Sequence, residues 1–340
     1  MNDGKSPAKG PGGIKGLMDL AVGYQRSMVL LSTNRLGVFG ALSGGPLPAE
    51  EVARRCRAHP RSIAMLLNAC AAMGLLHKEE ERFANAPLAE RFLVPGKPGY
   101  IGYYLGLMED GYENWGKLRE AVAENRRASS PVRESGRDAD WNRRFTLAMH
   151  QGAGTMARLV ARSLDLAGRR RLVDVGGGPG TFAIELVRRN PGLQAVVFDL
   201  PGVLEITREI VSATRLKDRI SLQPGDYHKD AFGTEMDAVL LFGILHSESQ
   251  SNRRMLIRKA WDALVPGGLV VTRQFLLDED RAGPIEAALF SLQMLLYTDS
   301  GEAYTWGEIS SLLEECGFVN PSRKLVSVRR PYWLVLARKP

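Results

Sequence analysis

The stretch RRLVDVGGGPGTFAIELVRRNP, residues 170–191, decides the fold class of this chain. An apolar, strand-like run leads into a loop of four glycines and a proline, and an amphipathic run with helical spacing follows. Glycines let the backbone approach a ligand closely, and the start of the following helix offers unpaired N–H groups. The stretch therefore predicts a parallel-sheet strand whose end holds a nucleotide-like or anionic ligand.

Beyond this loop, strand-like and helix-like runs alternate to the end of the chain. AVVFDL, RISLQPGD, MDAVLLFGIL and GLVVTRQFLL are separated by helix-like runs, which predicts a mostly parallel sheet with helices on both faces. A helix with a capping box of Thr305 and Glu308 comes next. The two closing strands lie so near each other in sequence that they must pair antiparallel. The fold class is therefore α/β and Rossmann-like, with a C-terminal antiparallel hairpin on a seven-stranded sheet.

The first half of the chain is mainly helical. Apolar residues recur at helical spacing in residues 16–42 and again in residues 61–76. A short helix opened by Pro48 lies between them, and LLHKEEERFAN, residues 75–85, reads as two short strands. Helix, turn, helix and a two-stranded wing form a winged-helix pattern, for which DNA binding is one interpretation.

The second helix of this pattern argues against a DNA reader. It is dominated by Ala, Met and Leu, with Arg61, Ser62 and Asn68 among them. A surface so apolar favours packing against another subunit or lining a substrate site over contact with base edges. We therefore expect a homodimer through this half, with a winged-helix DNA-binding protein as the alternative.

Composition is typical of a globular protein in which no metal, membrane or nucleic acid is expected. No apolar run reaches the ~18 residues of a membrane span and no secretory signal is present, so we expect a cytoplasmic protein. The net charge is +7, but part of the excess lies in a Gly/Pro-rich leader, residues 1–16, that we expect to be disordered. The cysteines and histidines lack the spacing of a disulfide framework or a zinc site, and the cysteines are Cys56, Cys70 and Cys316.

Acidic residues close the strands that follow the glycine loop. Asp199 ends the second strand, where a carboxylate can accept both hydroxyls of a ribose. Asp226 follows the third strand, where it can accept from an adenine amino group while Tyr227 packs on the ring. NAD is the rival ligand because residues 178–183 match GxGxxA, but the loop fits a GxGxG pattern preceded by an in-strand acid, Asp174, better.

These motifs together resemble the bacterial and plant small-molecule O-methyltransferases that use S-adenosylmethionine. LVDVGGGPG, VVFDLPGV, PGDYHKD, ILH, WDALVPGG and EECGF occur in the order and at the spacing of that family. The resemblance implies a class I methyltransferase domain preceded by a winged-helix-like dimerisation domain. It implies a dimerisation domain at 17–110, interdomain helices at 111–166 and a catalytic domain at 167–340.

The resemblance also implies roles for individual residues. His246 would be the general base. The residues that would bind the cofactor are Asp174, Gly176, Gly178, Asp199, Leu200, Asp226, Tyr227 and Phe242. The residues that would contact the substrate are Phe145, Met149, Met294 and Tyr297.

The chain departs from the family around the expected base. Family members usually continue His-Asp-Trp, whereas Ser247 and Glu248 follow His246 here. The carboxylates that commonly support the base are replaced by Gln274 and Ala303. A histidine without those acids is a weaker base. His150 and His228 are further histidine candidates, for which packing or surface roles are favoured.

The sequence says least about the molecule that accepts the methyl group. An aromatic or polyketide-like hydroxyl is the leading expectation. Methylation at carbon, or a use of the cofactor that transfers no methyl group, is the alternative. A histidine has an ordinary pKa of ~6.5, so it can receive the proton of a phenol as the methyl group is transferred.

Overall fold

The computed structural model describes residues 12–128, 139–327 and 331–340. The chain divides into two compact units, Met1–Glu109 and Asp110–Pro340. Within the described ranges, no helix combines the length and the hydropathy needed to cross a bilayer.

The first unit is a helical domain with a small antiparallel sheet. Its strands lie in the order β1-β3-β2, and they cover a core that includes Phe39, Ile63, Leu67 and Phe83. The helix, turn, helix and wing predicted from the sequence are all present. The elements are α1 (Gly13–Arg35), α2 (Val38–Ala41), β1 (Leu47–Pro48), α3 (Ala49–Cys56), α4 (Pro60–Ala72), β2 (Leu76–Glu79), β3 (Arg82–Asn85), α5 (Pro87–Phe92) and α6 (Gly102–Gly116), which runs past the end of the unit.

The start of α1 differs from the predicted leader. Residues 1–11 of that leader lie outside the described part of the chain, but the helix already begins at Gly13. Ile14 and Leu17 extend the helical spacing of apolar residues toward the N-terminus. Both side chains are exposed within this unit.

The second unit contains a seven-stranded sheet. Its strands have the order β11-β12-β8-β7-β4-β5-β6, in which β8 to β6 are parallel and β12 pairs antiparallel with both of its neighbours. The strands are β4 (Arg171–Val175), β5 (Gln194–Asp199), β6 (Ile220–Pro224), β7 (Met236–Phe242), β8 (Leu264–Gln274), β11 (Val319–Ser327) and β12 (Tyr332–Arg338), and a separate pair is formed by β9 (Leu276–Leu277) and β10 (Tyr304–Thr305).

Helices cover both faces of this sheet. Alternate residues of each strand face opposite sides: Leu172 packs in one apolar cluster and Val173 in the other. The helices of this unit, besides the end of α6, are α7 (Leu118–Glu124), α8 (Ala139–Ser163), α9 (Thr181–Arg189), α10 (Pro201–Ser212), α11 (Gln250–Ala263), α12 (Ile285–Tyr297) and α13 (Trp306–Glu315). Helices α8, α9 and α10 pack on one face and α11 and α13 on the other.

Local signals explain where several helices begin. Pro201 occupies the first turn of α10, where its missing N–H has no helical partner to lose. The predicted capping box at α13 is present: Thr305 accepts from the Glu308 N–H, and Glu308 accepts from the Thr305 N–H. The cysteines form no disulfide, and Cys70 and Cys316 are buried.

The strand order contains one reversal, and it positions the site. The chain runs outward from β4 through β5 to β6, and then returns to place β7 on the other side of β4. In open parallel sheets, ligands bind beyond the carboxyl ends of the strands at this reversal. The glycine loop after β4 and the turn after β7 both lie there.

Candidate functional site

The glycine loop between β4 and α9 has a backbone that other residues would strain. Gly176, Gly178 and Gly180 have φ angles of 61°, 53° and 70°, which lie in the left-handed region. A Cβ at Gly176 would lie 2.8 Å from the side chain of Ile244, so there is no room for one. The loop therefore brings bare backbone to the carboxyl edge of the sheet, next to the start of α9.

Asp199 ties the next strand to this loop. One of its carboxylate oxygens accepts from the Gly178 N–H at 2.8 Å, and the other accepts from the Leu200 N–H at 2.7 Å. Burial raises the pKa of Asp199, and these two hydrogen bonds oppose the rise. A carboxylate has about four lone-pair sites, so both oxygens can still accept from a vicinal diol.

Asp174 is a buried carboxyl beneath the loop. It is only 1% exposed, and its Oδ2 atom has no hydrogen-bond partner among the described residues. Burial, and then the charge of Asp199, raise the pKa of Asp174 to about 7, while the Ala183 N–H lowers it. A buried acceptor without a partner is costly, and it suits a site completed by a donor from a ligand.

Asp226 is held in the turn after β6. Its carboxylate accepts from the His228 N–H at 2.9 Å and lies 3.0 Å from the Lys229 ammonium. The His228 hydrogen bond, and then Lys229, lower the pKa of Asp226. This residue therefore stays ionised and remains an acceptor near neutral pH.

Tyr227 flanks the glycine loop. Its ring lies 3.8 Å from the position that a Cβ at Gly176 would occupy. Its hydroxyl donates to Glu248 at 3.1 Å, and burial and Glu248 together raise the pKa of Tyr227. The ring is therefore fixed as a flat apolar surface beside the loop.

Glu248 is a site residue that sequence reasoning did not assign. It is 7% exposed, and besides Tyr227 it contacts His228 Nε2 at 3.0 Å and accepts from the Asn252 side chain at 2.8 Å. In the sequence it is visible only as a departure from the His-Asp-Trp pattern. Tyr227 and His228 follow a different strand, so spacing along the chain could not reveal these two contacts.

His246 lies in a short turn, Leu245–Ser247, directly after β7. The ring of Phe290 on α12 meets the His246 ring edge-on, with centroids 4.7 Å apart. The His246 carbonyl accepts from the Glu302 N–H at 2.9 Å. Among the residues that the structure describes, neither ring nitrogen has a hydrogen-bond partner. Burial, and then the charge of Arg273, lower the pKa of His246 to about 3. The imidazole is therefore neutral at pH 7 and is a weak proton acceptor.

The positions of the missing acids are occupied by residues with other contacts. The Gln274 side chain donates to Thr272 at 3.1 Å, and the Ala303 N–H donates to Ser291 at 3.0 Å. Ser247 donates to the Ile244 carbonyl at 2.8 Å. None of these contacts orients the His246 ring.

Aromatic side chains gather at the same edge of the sheet. Phe242 ends β7, is 6% exposed and packs against Phe182 with ring centroids 5.0 Å apart. Phe275 packs between Phe290 and Tyr332, with tilted rings whose centroids are 4.6 Å and 4.1 Å away. Since Phe290 also contacts His246, a continuous set of rings adjoins the expected base.

The expected substrate residues lie on two helices of the second unit. On α8, Phe145 is 36% exposed and stacks on Trp141 at 4.7 Å, and Met149 is half-buried. On α12, Met294 and Tyr297 follow Phe290 at the spacing of one helix face. Met294 is 7% exposed, so it is mostly packed.

The two other candidate histidines have partners that explain them. His150 Nδ1 lies 2.8 Å from the Thr181 hydroxyl and so joins α8 to the start of α9, and burial lowers its pKa. His228 contacts Glu248. Across the described ranges, no group of three or more His, Cys, Asp or Glu side chains could hold a metal ion.

Two family models match this chain. One, described as an O-methyltransferase domain, matches residues 115–319, and the other, described as an O-methyltransferase dimerisation domain, matches residues 18–95. Together they show that both halves of the chain match this family, in agreement with the sequence motifs.

Individual proteins agree with these matches. The chain is 36% identical over 305 residues to a 3-hydroxy-5-methyl-1-naphthoate 3-O-methyltransferase of Streptomyces sahachiroi, with 88% of each chain covered. It is 33% identical to the tetracenomycin polyketide synthesis 8-O-methyl transferase TcmO of Streptomyces glaucescens, with 98% of each covered. The crystal structure of human N-acetylserotonin methyltransferase with S-adenosylmethionine superposes with a TM-score of 0.86 at 29% identity, covering 100% of this chain and 99% of that one.

Proposed function

Because this chain belongs to the family of S-adenosylmethionine-dependent O-methyltransferases, we propose that its acceptor is a hydroxyl on a fused aromatic ring system. The observation that carries this proposal is the set of rings that adjoins His246 through Phe290. Flat aromatic walls favour flat aromatic ligands through stacking and edge contacts. Two similar proteins are named for a naphthoate and for tetracenomycin polyketide synthesis, which agrees with this acceptor class.

The residues at the strand ends fit the cofactor. When bound, S-adenosylmethionine supplies a methyl group on a positively charged sulfur. We assign the ribose hydroxyls to Asp199, beside the bare backbone of Gly176 and Gly178 and next to Leu200. The unpartnered Oδ2 of Asp174 is available to a donor or to positive charge from the cofactor.

The adenine end is assigned to the turn after β6. Asp226 is an ionised acceptor that can take a hydrogen bond from an amino group. Tyr227 offers a ring face beside the loop, held by Glu248. Phe242, on β7, supplies an apolar wall near the start of α9 through its contact with Phe182.

His246 orients the acceptor hydroxyl in this proposal. Its neutral imidazole can accept a hydrogen bond, and it receives the proton as the oxygen loses electron density to the new bond. Since the pKa of His246 is about 3, it cannot hold that proton at neutral pH and passes it to solvent. Most of the rate enhancement must therefore come from positioning the two reactants.

The acceptor contacts are assigned to α8 and α12. Phe145 and Met149 would contact its rings from α8, and Met294 and Tyr297 from α12. Tyr297 is the most informative of the four, because its hydroxyl lies 2.6 Å from the position that a Cβ at Gly111 would occupy. Its hydroxyl therefore packs against Gly111, where a residue with a side chain would displace it.

Isotope-labelled methyl transfer tests the proposed function. The protein is incubated with S-adenosylmethionine carrying a carbon-13 methyl group and with a panel of hydroxynaphthoates, naphthols and simple phenols. We expect a methyl ether, recognised by the chemical shift of a methyl carbon bound to oxygen, and faster turnover of the fused rings. Methylation at carbon, or equal turnover of single and fused rings, would contradict the proposal.

The first unit is assigned to dimerisation. Met18, Leu20 and Tyr24 of α1 expose 55%, 70% and 52% of their surface in this unit, although they lie in the part matched by the dimerisation model. A second copy of the chain would cover such an apolar helix face. We propose a homodimer through residues 17–110, with the interdomain helices 111–166 and the catalytic domain 167–340 behind it. Light scattering that gives the mass of a monomer at micromolar concentration would contradict this.

Two sequence expectations remain predictions. The cytoplasmic location and the lack of nucleic-acid binding rest on the sequence alone. Salt-dependent binding of duplex DNA by the intact protein would favour the winged-helix alternative.

A further inference from the structure

Arg273 is a cation at the edge of the sheet where ligands bind. It is the second-last residue of β8 and pairs in register with Phe242, the last residue of β7. Because β7 and β8 are parallel, both residues stand at the carboxyl edge beside the reversal in strand order. No motif in the sequence marks this arginine.

The guanidinium of Arg273 lies close to His246. A Cβ at Gly243 would stand 3.7 Å from Arg273 Nη2 and 4.0 Å from His246 Cε1. Gly243 has a φ of 76° and no side chain, so the guanidinium and the imidazole flank a position that is open on the glycine side. Both residues are half-buried, and the Nε atom of Arg273 is fully buried.

Aromatic rings fix the position of this charge. The guanidinium carbon lies 5.4 Å from the ring centre of Phe182 and 4.9 Å from that of Tyr332. Such rings hold a guanidinium by cation–π attraction and keep water away from one side of it, which strengthens its field. The titratable groups that sense this charge include His246 and the buried Asp174.

We propose that the Arg273 guanidinium binds an anionic oxygen of a small molecule held in the catalytic site. The inference rests on the proposed function, since it places cofactor and acceptor at this edge. A guanidinium has five N–H donors in a planar fork, so it can bind a carboxylate while it keeps a contact within the protein. Two groups carry the required chemistry: the carboxylate of the cofactor's methionyl part, and an ionised oxygen or carboxylate on the acceptor.

Calorimetry distinguishes the first source. Arg273→Met removes the charge and keeps a long apolar side chain, while Arg273→Lys keeps the charge. S-adenosylhomocysteine and methylthioadenosine are titrated into each protein, because the second ligand lacks the carboxylate. If Arg273 holds the cofactor, Arg273→Met should weaken S-adenosylhomocysteine by about 10- to 100-fold and leave methylthioadenosine unchanged.

A pair of acceptors tests whether the anionic group belongs to the acceptor. A hydroxynaphthoate and the naphthol that lacks its carboxylate are compared by kcat/KM, and by calorimetry with protein saturated with S-adenosylhomocysteine. If Arg273 binds the acceptor, Arg273→Met should lower the preference for the hydroxynaphthoate by about 10-fold or more, with Arg273→Lys in between. Calorimetry measures acceptor binding even if neither acceptor is methylated. A failure of the proposed function, which is loss of turnover, is therefore distinguished from a failure of the Arg273 inference, which is an unchanged binding preference.

Arg323 provides a matched control. Its guanidinium also lies over two rings, 5.3 Å from Trp306 and 4.9 Å from Trp333, but it belongs to the edge strand β11, which β12 separates from β8. Arg323→Met should change neither ligand preference. Equal behaviour of Arg273→Met, Arg323→Met and wild type in both arms would overturn the inference, and so would an equal loss of all four ligands in a folded Arg273→Met protein.

Discussion

The hydroxyl of Tyr227 donates a hydrogen bond to Glu248 across 3.1 Å, and this contact joins the turn after β6 to the segment before α11. Glu248 is 7% exposed and also contacts His228 and Asn252. One buried carboxylate thus fixes the ring that flanks the glycine loop. In the proposed function Tyr227 receives the adenine ring, and Glu248 holds the tyrosine in place for it.

Removing Glu248 should therefore weaken cofactor binding. Glu248→Ala removes the acceptor that Tyr227 and Asn252 share and the contact to His228, and we expect about a 10-fold rise in the Kd for S-adenosylhomocysteine. Glu248→Gln keeps one acceptor oxygen and should show a smaller effect. Calorimetry measures both, with the exposed Glu205→Ala on α10 as the control. An unchanged Kd in a folded Glu248→Ala protein would show that the contact has no part in binding.

The raised pKa of Asp174 predicts that cofactor binding releases a proton. Since its pKa is about 7, its carboxyl is protonated in a large part of the molecules near neutral pH. If Asp174 meets the positive charge of S-adenosylmethionine, as proposed, the ionised form is favoured and binding should release a proton. Calorimetry in buffers of different ionisation enthalpy counts it. Release should be smaller with S-adenosylhomocysteine and absent in Asp174→Asn, and an equal count in Asp174→Asn would rule Asp174 out as its source.

His246 predicts a loss of stability in acid. Its pKa is about 3 in the folded protein and 6.5 as a free side chain, so the unfolded chain binds a proton in that interval and the folded chain does not. The contribution is present above pH 6.5 and is lost as the pH falls toward about 3. The melting temperature of wild type should therefore fall more steeply with acid than that of His246→Gln. Parallel curves for the two proteins would contradict the lowered pKa.

The same lowered pKa limits the part that His246 plays in catalysis. A weak base gives less than the usual contribution, so we expect His246→Ala to lower kcat by about 10- to 100-fold with little change in cofactor affinity. With saturating cofactor, the pH profile of kcat for wild type should show no inflection near 6.5, the usual pKa of histidine, that His246→Ala lacks. A loss of a thousandfold or more, with an inflection there that the variant lacks, would identify His246 as a strong base instead.

Features with local causes could be predicted from the sequence. The alternation of strands and helices, the wing at residues 75–85 and the capping box of Thr305 and Glu308 depend on neighbours a few positions away. The glycine loop is also local, because its positive φ angles suit only residues without a side chain. These features sufficed for the fold class and the cofactor.

Features with distant causes could not be predicted. Glu248 contacts Tyr227 over a separation of 21 residues, and Arg273 meets the position beside His246 only through the register of β7 and β8. The weak basicity of His246 likewise depends on burial and on Arg273 rather than on its neighbours in sequence. The two-residue strands β1, β9 and β10 carry too few residues for a pattern.

The most direct test of this account is the affinity of Asp199 variants for S-adenosylhomocysteine. Asp199 joins the glycine loop to the end of β5, and we assign its carboxylate to the ribose hydroxyls. Asp199→Ala should weaken binding by about 10- to 100-fold and Asp199→Asn by less, since an amide keeps one acceptor. The exposed Asp218→Ala is the control and should bind as wild type does. A folded Asp199→Ala protein that binds S-adenosylhomocysteine with wild-type affinity would contradict the assignment of this strand end to the cofactor.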